Sequence, residues 1–334
     1  NLKNISSKKI ALISVIQLLL LCVFIGTINY CSLKEEMKEL EAINSSRESN
    51  NYLWNNNLSK DLTIKIQIES IEFKEANNVR MTGIIQHESE PQYDVFFPDA
   101  VEYSEWIVDE DKKVITKKFL LLLREEFNYY KYPLESNIIS LKMQGRGMKE
   151  GKVIVPDFKQ YPEGMLMSSN PGIRKGIVLN GWNVVGSFFS FNKVSPLEHE
   201  LVFNIYLKRN MLSPFISNLL PFSIILSMAF GILILIEKEK KDEGVEFTLG
   251  SASGLFFTVI LSQSSLRDNI ATDELLYLDY YYFFLYIVLL FTVLITFFYK
   301  YQKIEYGYIL NIKKLFWFSS SFIIMLMTLI IFNI

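Results

Sequence analysis

The chain has 334 residues, half of them apolar, with 34 basic and 36 acidic side chains and a formal net charge of −2. So apolar and nearly neutral a composition excludes a disordered polyelectrolyte and offers no field for a polyanion, so no nucleic-acid partner is expected. There are two cysteines and two histidines. Cys22 and Cys31 fall in or beside one apolar run, and His87 and His199 stand apart. Neither a disulfide framework nor a metal cluster is therefore expected, and no cofactor.

In chain order, the first element is an uncharged run at 10–33, long enough at roughly 20 residues or more to cross a bilayer. It is too long for a signal-peptide core, and "TINYCS" after it is a poor cleavage site, so a retained membrane anchor is expected. "SLKEEMKELEAIN" reads as a short charged helix, and the Asn/Ser-rich stretch after it as a linker, the two filling 34–60.

From 61 the pattern changes to period two. "LTIKIQIESIEF" alternates apolar with polar, as a half-buried strand does, and "VRMTGIIQHESE" resumes the alternation after the turn "EANN". Further strands are expected at 114–123, 136–143, 152–155, 184–191 and 200–207, separated by Gly, Pro and Asn turns. Many short strands without long helices predict an antiparallel β-sandwich over 61–208.

Four more uncharged runs follow, at 211–236, 247–266, 280–299 and 315–334. Lys3, Lys8 and Lys9 precede the first run. Lys238, Lys240 and Lys241 follow the second, and Lys300, Lys303, Lys313 and Lys314 lie between the fourth and fifth. The loop 267–279 holds one Arg and no Lys. Basic residues favour the cytoplasmic side. The expectation is a multi-pass protein of the plasma or bacterial inner membrane. Its N-terminus is cytoplasmic, and its β domain and C-terminus are extracellular or periplasmic.

Specific motifs appear inside this frame. "YKYPLESNIISLKM" reads Tyr132-Pro133-Leu134-Glu135 before a strand, "FFPDAVEY" carries Pro98 and Asp99, and "GWNVVGSFFSF" enters a later strand. "LVFNIYLKRNMLSPFISNLLPFSIIL" runs from a strand through Arg209 into an apolar span with Pro221, and "DELLYLDYYYFFLYIVLLFTVL" opens the fourth run. In this order they resemble the Phe-Pro-Phe-Asp loop, the Trp-x-Pro-Asp stretch, the final strands and the channel helices of pentameric ligand-gated ion channels. Those are the Cys-loop receptors and their prokaryotic relatives, here without the Cys-loop disulfide. Departures are Asn137 for a glutamine, Phe96 for a tryptophan, Met211 where a proline is usual, and the extra anchor. The resemblance covers roughly 61–334. It implies a membrane protein with an extracellular all-β immunoglobulin-like sandwich, a four-helix transmembrane bundle over 209–334 and an additional N-terminal transmembrane helix. It also implies a homo-pentamer among membrane lipid that passes inorganic ions when a small-molecule ligand or protons bind outside.

The run 247–266 is unusually polar for a span, with three threonines or glutamines and five serines nearby. At roughly 100° per residue, Thr248, Ala252, Leu255, Val259, Ser262 and Leu266 fall within about 40° of one meridian. Gly250 and Gly254 lie on the far side, where a helix partner approaches closely. Polar at both ends and apolar between, the stripe from Thr248 to Leu266 reads as pore-lining, with Leu255 and Val259 as a constriction that closes by dewetting. Its other reading is a packing helix with scattered serines. Glu243 and Glu246 before it are candidate selectivity residues, and rings of carboxylates favour cations, although the nearby lysines partly cancel them.

The resemblance further implies a gating interface with Pro133, Glu135 and Arg209, in which Glu135 pairs with Arg209. It implies a ligand site between subunits, for which Tyr103, Tyr161, Trp182, Phe188, Phe189 and Phe191 are the aromatic candidates. Aromatic faces hold cationic amines, yet alternating Phe residues on a strand also read as core. No nucleophile–base pair or phosphate loop appears, so no catalytic residue is expected. The alternatives are a non-conducting membrane sensor on the same scaffold and an anion-selective channel.

Overall fold

A computed structural model describes residues 62–74, 77–88, 94–110, 114–146, 153–157, 161, 170–193, 199–235, 241–270, 272–301, 316, 319–320 and 322–330. The expected anchor at 10–33 and the helix and linker at 34–60 lie outside the described residues. Two units emerge. One holds the strands up to Asn128 and Leu134–Asn210; the other holds Tyr129–Pro133 and the helices from Met211 onward.

The β unit contains nine strands among its described residues: β1 (Leu62–Phe73), β2 (Asn78–Glu88), β3 (Asp94–Phe96), β4 (Ala100–Glu110), β5 (Val114–Arg124), β6 (Ser136–Arg146), β7 (Ile154–Pro156), β8 (Trp182–Lys193) and β9 (His199–Arg209). They form a five-stranded sheet, ordered β4-β5-β2-β1-β7, and a four-stranded sheet, ordered β3-β6-β9-β8. All pairings are antiparallel except β1 with β7. The period-two pattern is the cause. In β1, Leu62, Ile64, Ile66 and Ile68 point into the core while Thr63, Lys65 and Gln67 are half-exposed. β2, β6 and β9 supply Met81, Ile85, Ile139, Leu141, Met143, Phe203 and Ile205 to the same core.

Two glycines are required by this packing. A Cβ on Gly83 would stand 2.6 Å from Phe119 Cζ and 2.7 Å from the Gln67 carbonyl oxygen. Gly172 has φ +75°, and its carbonyl accepts the Ile68 N–H at 2.8 Å, stitching the segment before β8 to β1. β3 and β4 escaped the sequence reading. Every residue of β4 after Ala100 is exposed, so neither face of that edge strand carries an apolar alternation.

The second unit begins with a helical turn at Leu212–Pro214 and a π-helical turn at Phe215–Leu219, leading into α1 (Leu220–Leu235). Pro221 has no N–H for the carbonyl of Ser217, and the helix widens into a π turn just before it. Buried Asn218 fills the widened turn, donating from Nδ2 to the Pro214 carbonyl at 3.2 Å. α2 (Lys241–Ile270) and α3 (Tyr277–Tyr301) follow. Leu212–Leu233, Val245–Ile270 and Tyr277–Tyr299 are long and apolar enough to cross a membrane. A four-helix bundle is not seen among the described residues. Residues 322–330 are helical, and Thr328 of that stretch bonds the hydroxyls of Tyr277 and Tyr281 at 2.8 and 3.0 Å.

The Gly83 geometry yields a measurable consequence. Gly83→Ala forces Phe119 and the β1 backbone apart and should cost about 1–3 kcal/mol, the range for overpacked cores. Thermal unfolding of the detergent-purified chain would register it as a lower midpoint, and an unchanged midpoint would mean that the sheet is free to shift there.

Candidate functional site

In the β unit, the end of β9 is clamped from both sides. The β6–β9 register sets Ser136 opposite Lys208, so Glu135 and Arg209 meet one step further along. Arg209 Nε donates to Glu135 Oε1, and the Arg209 N–H donates to the Glu135 carbonyl at 3.3 Å. On the other side Trp182 pairs with Arg209 across the β8–β9 ladder, and the guanidinium stands 4.2 Å from the indole centroid. Such a stack is electrostatically favourable. Trp182 in turn lies 5.3 Å from Phe73 and 6.2 Å from Phe127, so β1, β8 and the segment after β5 share one aromatic cluster.

Glu135 is 3% exposed, and its Oε2 has no hydrogen-bond partner. Burial raises its carboxyl above the usual glutamate range, against the opposing pull of the Arg209 charge and hydrogen bond. Nearby, Asn137 Oδ1 accepts the Asn128 N–H at 3.1 Å while its Nδ2 is also unpartnered. Glu125 accepts the Ser140 N–H at 2.9 Å, and burial raises its carboxyl too. The pair is thus a buried ion pair with half its carboxylate unsatisfied, the kind that is costly to break from one side.

In the helical unit, Tyr129–Pro133 is anchored to the start of α3. The Tyr130 carbonyl accepts the Tyr277 N–H at 2.9 Å, and Glu274 Oε2 accepts the Tyr129 N–H at 3.2 Å. Tyr132 and Pro133 are buried there. Beside them lies a network that sequence reasoning missed. Asp279 is fully buried and takes Arg267 Nη2 at 2.5 Å, Gln263 Nε2 at 3.2 Å and the Leu276 N–H at 2.9 Å. Arg267 also donates to the carbonyls of Thr272 and Glu274, and Tyr286 donates to Gln263 Oε1 at 2.8 Å. A carboxylate at the mouth of an apolar run was the available signal, since such a group needs a partner.

The expected pore stripe is largely covered within the chain. Thr248, Ala252, Leu255, Val259 and Leu266 are buried, together with Val245 and Ile270, in the seam that α2 makes with the rest of its own unit. Ser262 is half-buried on the same side. Leu255 and Val259 therefore pack within the chain in this arrangement. The cause is physical. The stripe is the most continuously apolar face of α2, and α1 and α3 offer it apolar partners. Of the selectivity candidates, Glu246 is exposed, and Glu243 lies in the first turn of α2.

The aromatic ligand candidates are not gathered into one site. Tyr161 is buried, its hydroxyl accepting the Ile66 N–H and donating to the Ile66 carbonyl, both at 2.9 Å. Phe189 packs 4.8 Å from Phe203 in the core, and Trp182 belongs to the Arg209 clamp. All three pack within the β unit. Phe188 and Phe191 are half-buried on β8, and exposed Tyr103 donates to Glu105 on the edge strand β4 of the other sheet. A cavity of about 610 Å³ opens instead in the segment before β8, lined by Asn170, Ile173, Arg174, Val178, Trp182 and Asn183.

The raised carboxyls fix a pH dependence. A glutamate whose folded-state pKa exceeds its unfolded value binds more protons when folded. Its contribution is full below the unfolded pKa, about 4.3, and is lost as pH rises through the folded value. Stability of the β unit should therefore fall as pH rises through that window. Glu135→Gln should shrink the slope, and adding Glu125→Gln should shrink it further. Melting curves from about pH 4 to 7 decide it: an unaltered slope in both variants would assign the effect to other groups.

Against known proteins, no family model matches the chain, and no curated protein matches it in sequence.

Proposed function

We propose that the chain is the subunit of a pentameric ligand-gated ion channel that conducts cations across the plasma or bacterial inner membrane. The observation that carries this reading is α2. It is long and apolar enough to cross a membrane, yet Glu246, Ser253, Ser264, Ser265 and Asp268 on it are exposed. Ionisable and hydroxyl groups on a spanning helix belong against protein or water rather than hydrocarbon. One chain leaves that face uncovered, and a ring of copies around a water column covers it.

Three further features support the reading. Strand β9 passes into a membrane-length helix within three residues, from Arg209 to Leu212, as a receptor coupled to a channel requires. The motifs at Tyr132–Glu135, Arg209 and Tyr277–Asp279 fall in the order of the resembled family. Carboxylates at Glu246 and Asp268 favour cation entry over anion entry. The β domain faces outward in this proposal, since the lysine-rich loops lie on the opposite side. An extracellular small molecule or protons open the channel.

The deciding experiment is reconstitution of the full chain in planar bilayers with ion substitution. A salt gradient should shift the reversal potential toward the cation's equilibrium value. A shift toward chloride would overturn cation selectivity, and silence across pH with a monomeric mass in detergent would favour a non-conducting sensor. In an active preparation, Glu135→Arg and Arg209→Glu should each displace the activation curve, and the double exchange should recover part of the loss. Absence of recovery would leave the pair a purely structural clamp.

A further inference from the structure

We infer that the cavity before β8 is a binding site for a small amphipathic anion, a carboxylate with a short apolar tail. It lies wholly within the β unit, so the inference stands or falls apart from the channel reading. Its volume of about 610 Å³ is in the range of small-molecule pockets, roughly 300–1,000 Å³. Arg174 and Lys175 line it with positive charge, and Ile173, Val178, Trp182 and Val184 give it apolar walls. No carboxylate lines it among the described residues.

The frame is fixed before any ligand arrives. The Ile68 N–H donates to the Gly172 carbonyl at 2.8 Å and the Arg174 N–H to the Ile68 carbonyl at 3.0 Å, so β1 holds one side of the segment. Ser187 Oγ donates to the Pro171 carbonyl at 2.5 Å, and the Asn210 N–H to the Gly181 carbonyl at 2.8 Å. Two turns complete the path. The Ile177 N–H closes the first on the Arg174 carbonyl at 3.2 Å, and the Trp182 N–H closes the second on the Leu179 carbonyl at 3.4 Å. Their third residues are Gly176 and Gly181, at φ +78° and +79°, where glycine alone is unstrained. A segment anchored in this way loses little conformational entropy when a ligand binds.

The side chains select the ligand. Arg174 and Lys175 are exposed, and neither side chain has a hydrogen bond or ion pair among the described residues. Two adjacent cations attract a carboxylate and repel an ammonium, and the guanidinium fork matches both carboxylate oxygens. Val178 is 82% exposed beside them. An apolar side chain held open to water on a pinned segment gains from being covered. An alkyl tail covers it, and an inorganic anion does not. Ile173 and Trp182 extend the apolar wall, and Trp182 also carries the Arg209 guanidinium, so the site adjoins the clamp at the end of β9.

The test uses the detergent-purified full chain with Trp54→Phe, Trp106→Phe and Trp317→Phe, which leaves Trp182 as its sole tryptophan. Bromine quenches indole fluorescence only near contact. Bromohexanoate should quench Trp182 saturably, while bromohexylammonium and bromoacetate should not. Arg174→Gln with Lys175→Gln should raise the half-quenching concentration at least about 10-fold. In the chain with all its tryptophans, hexanoate should raise the melting midpoint and hexylammonium should leave it unchanged. Equal quenching by the ammonium, no quenching by bromohexanoate, or an undiminished effect in the double variant would overturn the site. A lowered midpoint of the unliganded double variant would make the two cations structural and overturn it as well. Equal quenching by bromoacetate would remove the apolar tail from the assignment. Quenching only by phosphatidylglycerol with brominated tails in nanodiscs would overturn a soluble carboxylate in favour of a lipid.

Discussion

The rotation of α2 about its axis is the constraint on which the rest of the helical unit depends. Seven buried side chains, from Val245 to Ile270, hold it against its own unit. Toward the C-terminal end of α2 the Asp279 network adds a polar lock, because Gln263 and Arg267 of α2 both bond the same buried carboxylate on α3. Turning α2 far enough to expose Thr248 would strip both partners from Asp279 and leave a buried charge unpaired. That penalty is several kcal/mol. The apolar seam and the ionic lock therefore specify the same orientation by independent means.

A similar economy operates at the end of β9. Arg209 has one face on an indole and its edge on a carboxylate, so the strand cannot slip by a residue without losing both contacts. Register in a sheet is otherwise set by alternation and turn geometry. Burial works against the ionisation of Glu135 while the Arg209 charge favours it, and Oε2 stays unpartnered, so the clamp is not saturated. The segment that immediately precedes Leu134 and Glu135, Tyr129–Pro133, belongs to the helical unit and bonds Tyr277 and Glu274 there. Two anchored groups thus lie within a few residues of each other on one stretch of chain, each tied to a different unit.

Much of the fold was legible in the sequence because one face of a strand must be apolar. β1, β2, β5, β6, β8 and β9 all coincide with period-two runs, within a few residues at their ends. β4 was not legible, since an edge strand exposed on both faces has no alternation to read. The helix spans at 211–236, 247–266 and 280–299 followed from length and lack of charge alone. The Asp279 network was invisible for a different reason. Its partners come from α2, the following loop and α3, and no local pattern links Gln263, Arg267 and Asp279.

The stripe on α2 has two physical readings, a wet face and a packing face. In water, the apolar side of an amphipathic helix is its buried side. In a membrane both sides are apolar in part, and the polar minority marks the face that needs a partner. Thr248 and Ser262 drew attention to one meridian, yet that meridian also carries Ala252, Leu255, Val259 and Leu266, which pack well against α1 and α3. The opposite meridian has the stronger polar groups, two carboxylates and two serines, and it begins and ends one bilayer apart. Counting hydroxyls favours neither face. The polar groups costliest to leave in hydrocarbon lie on the second, and the side chains of the first are the ones buried within the chain.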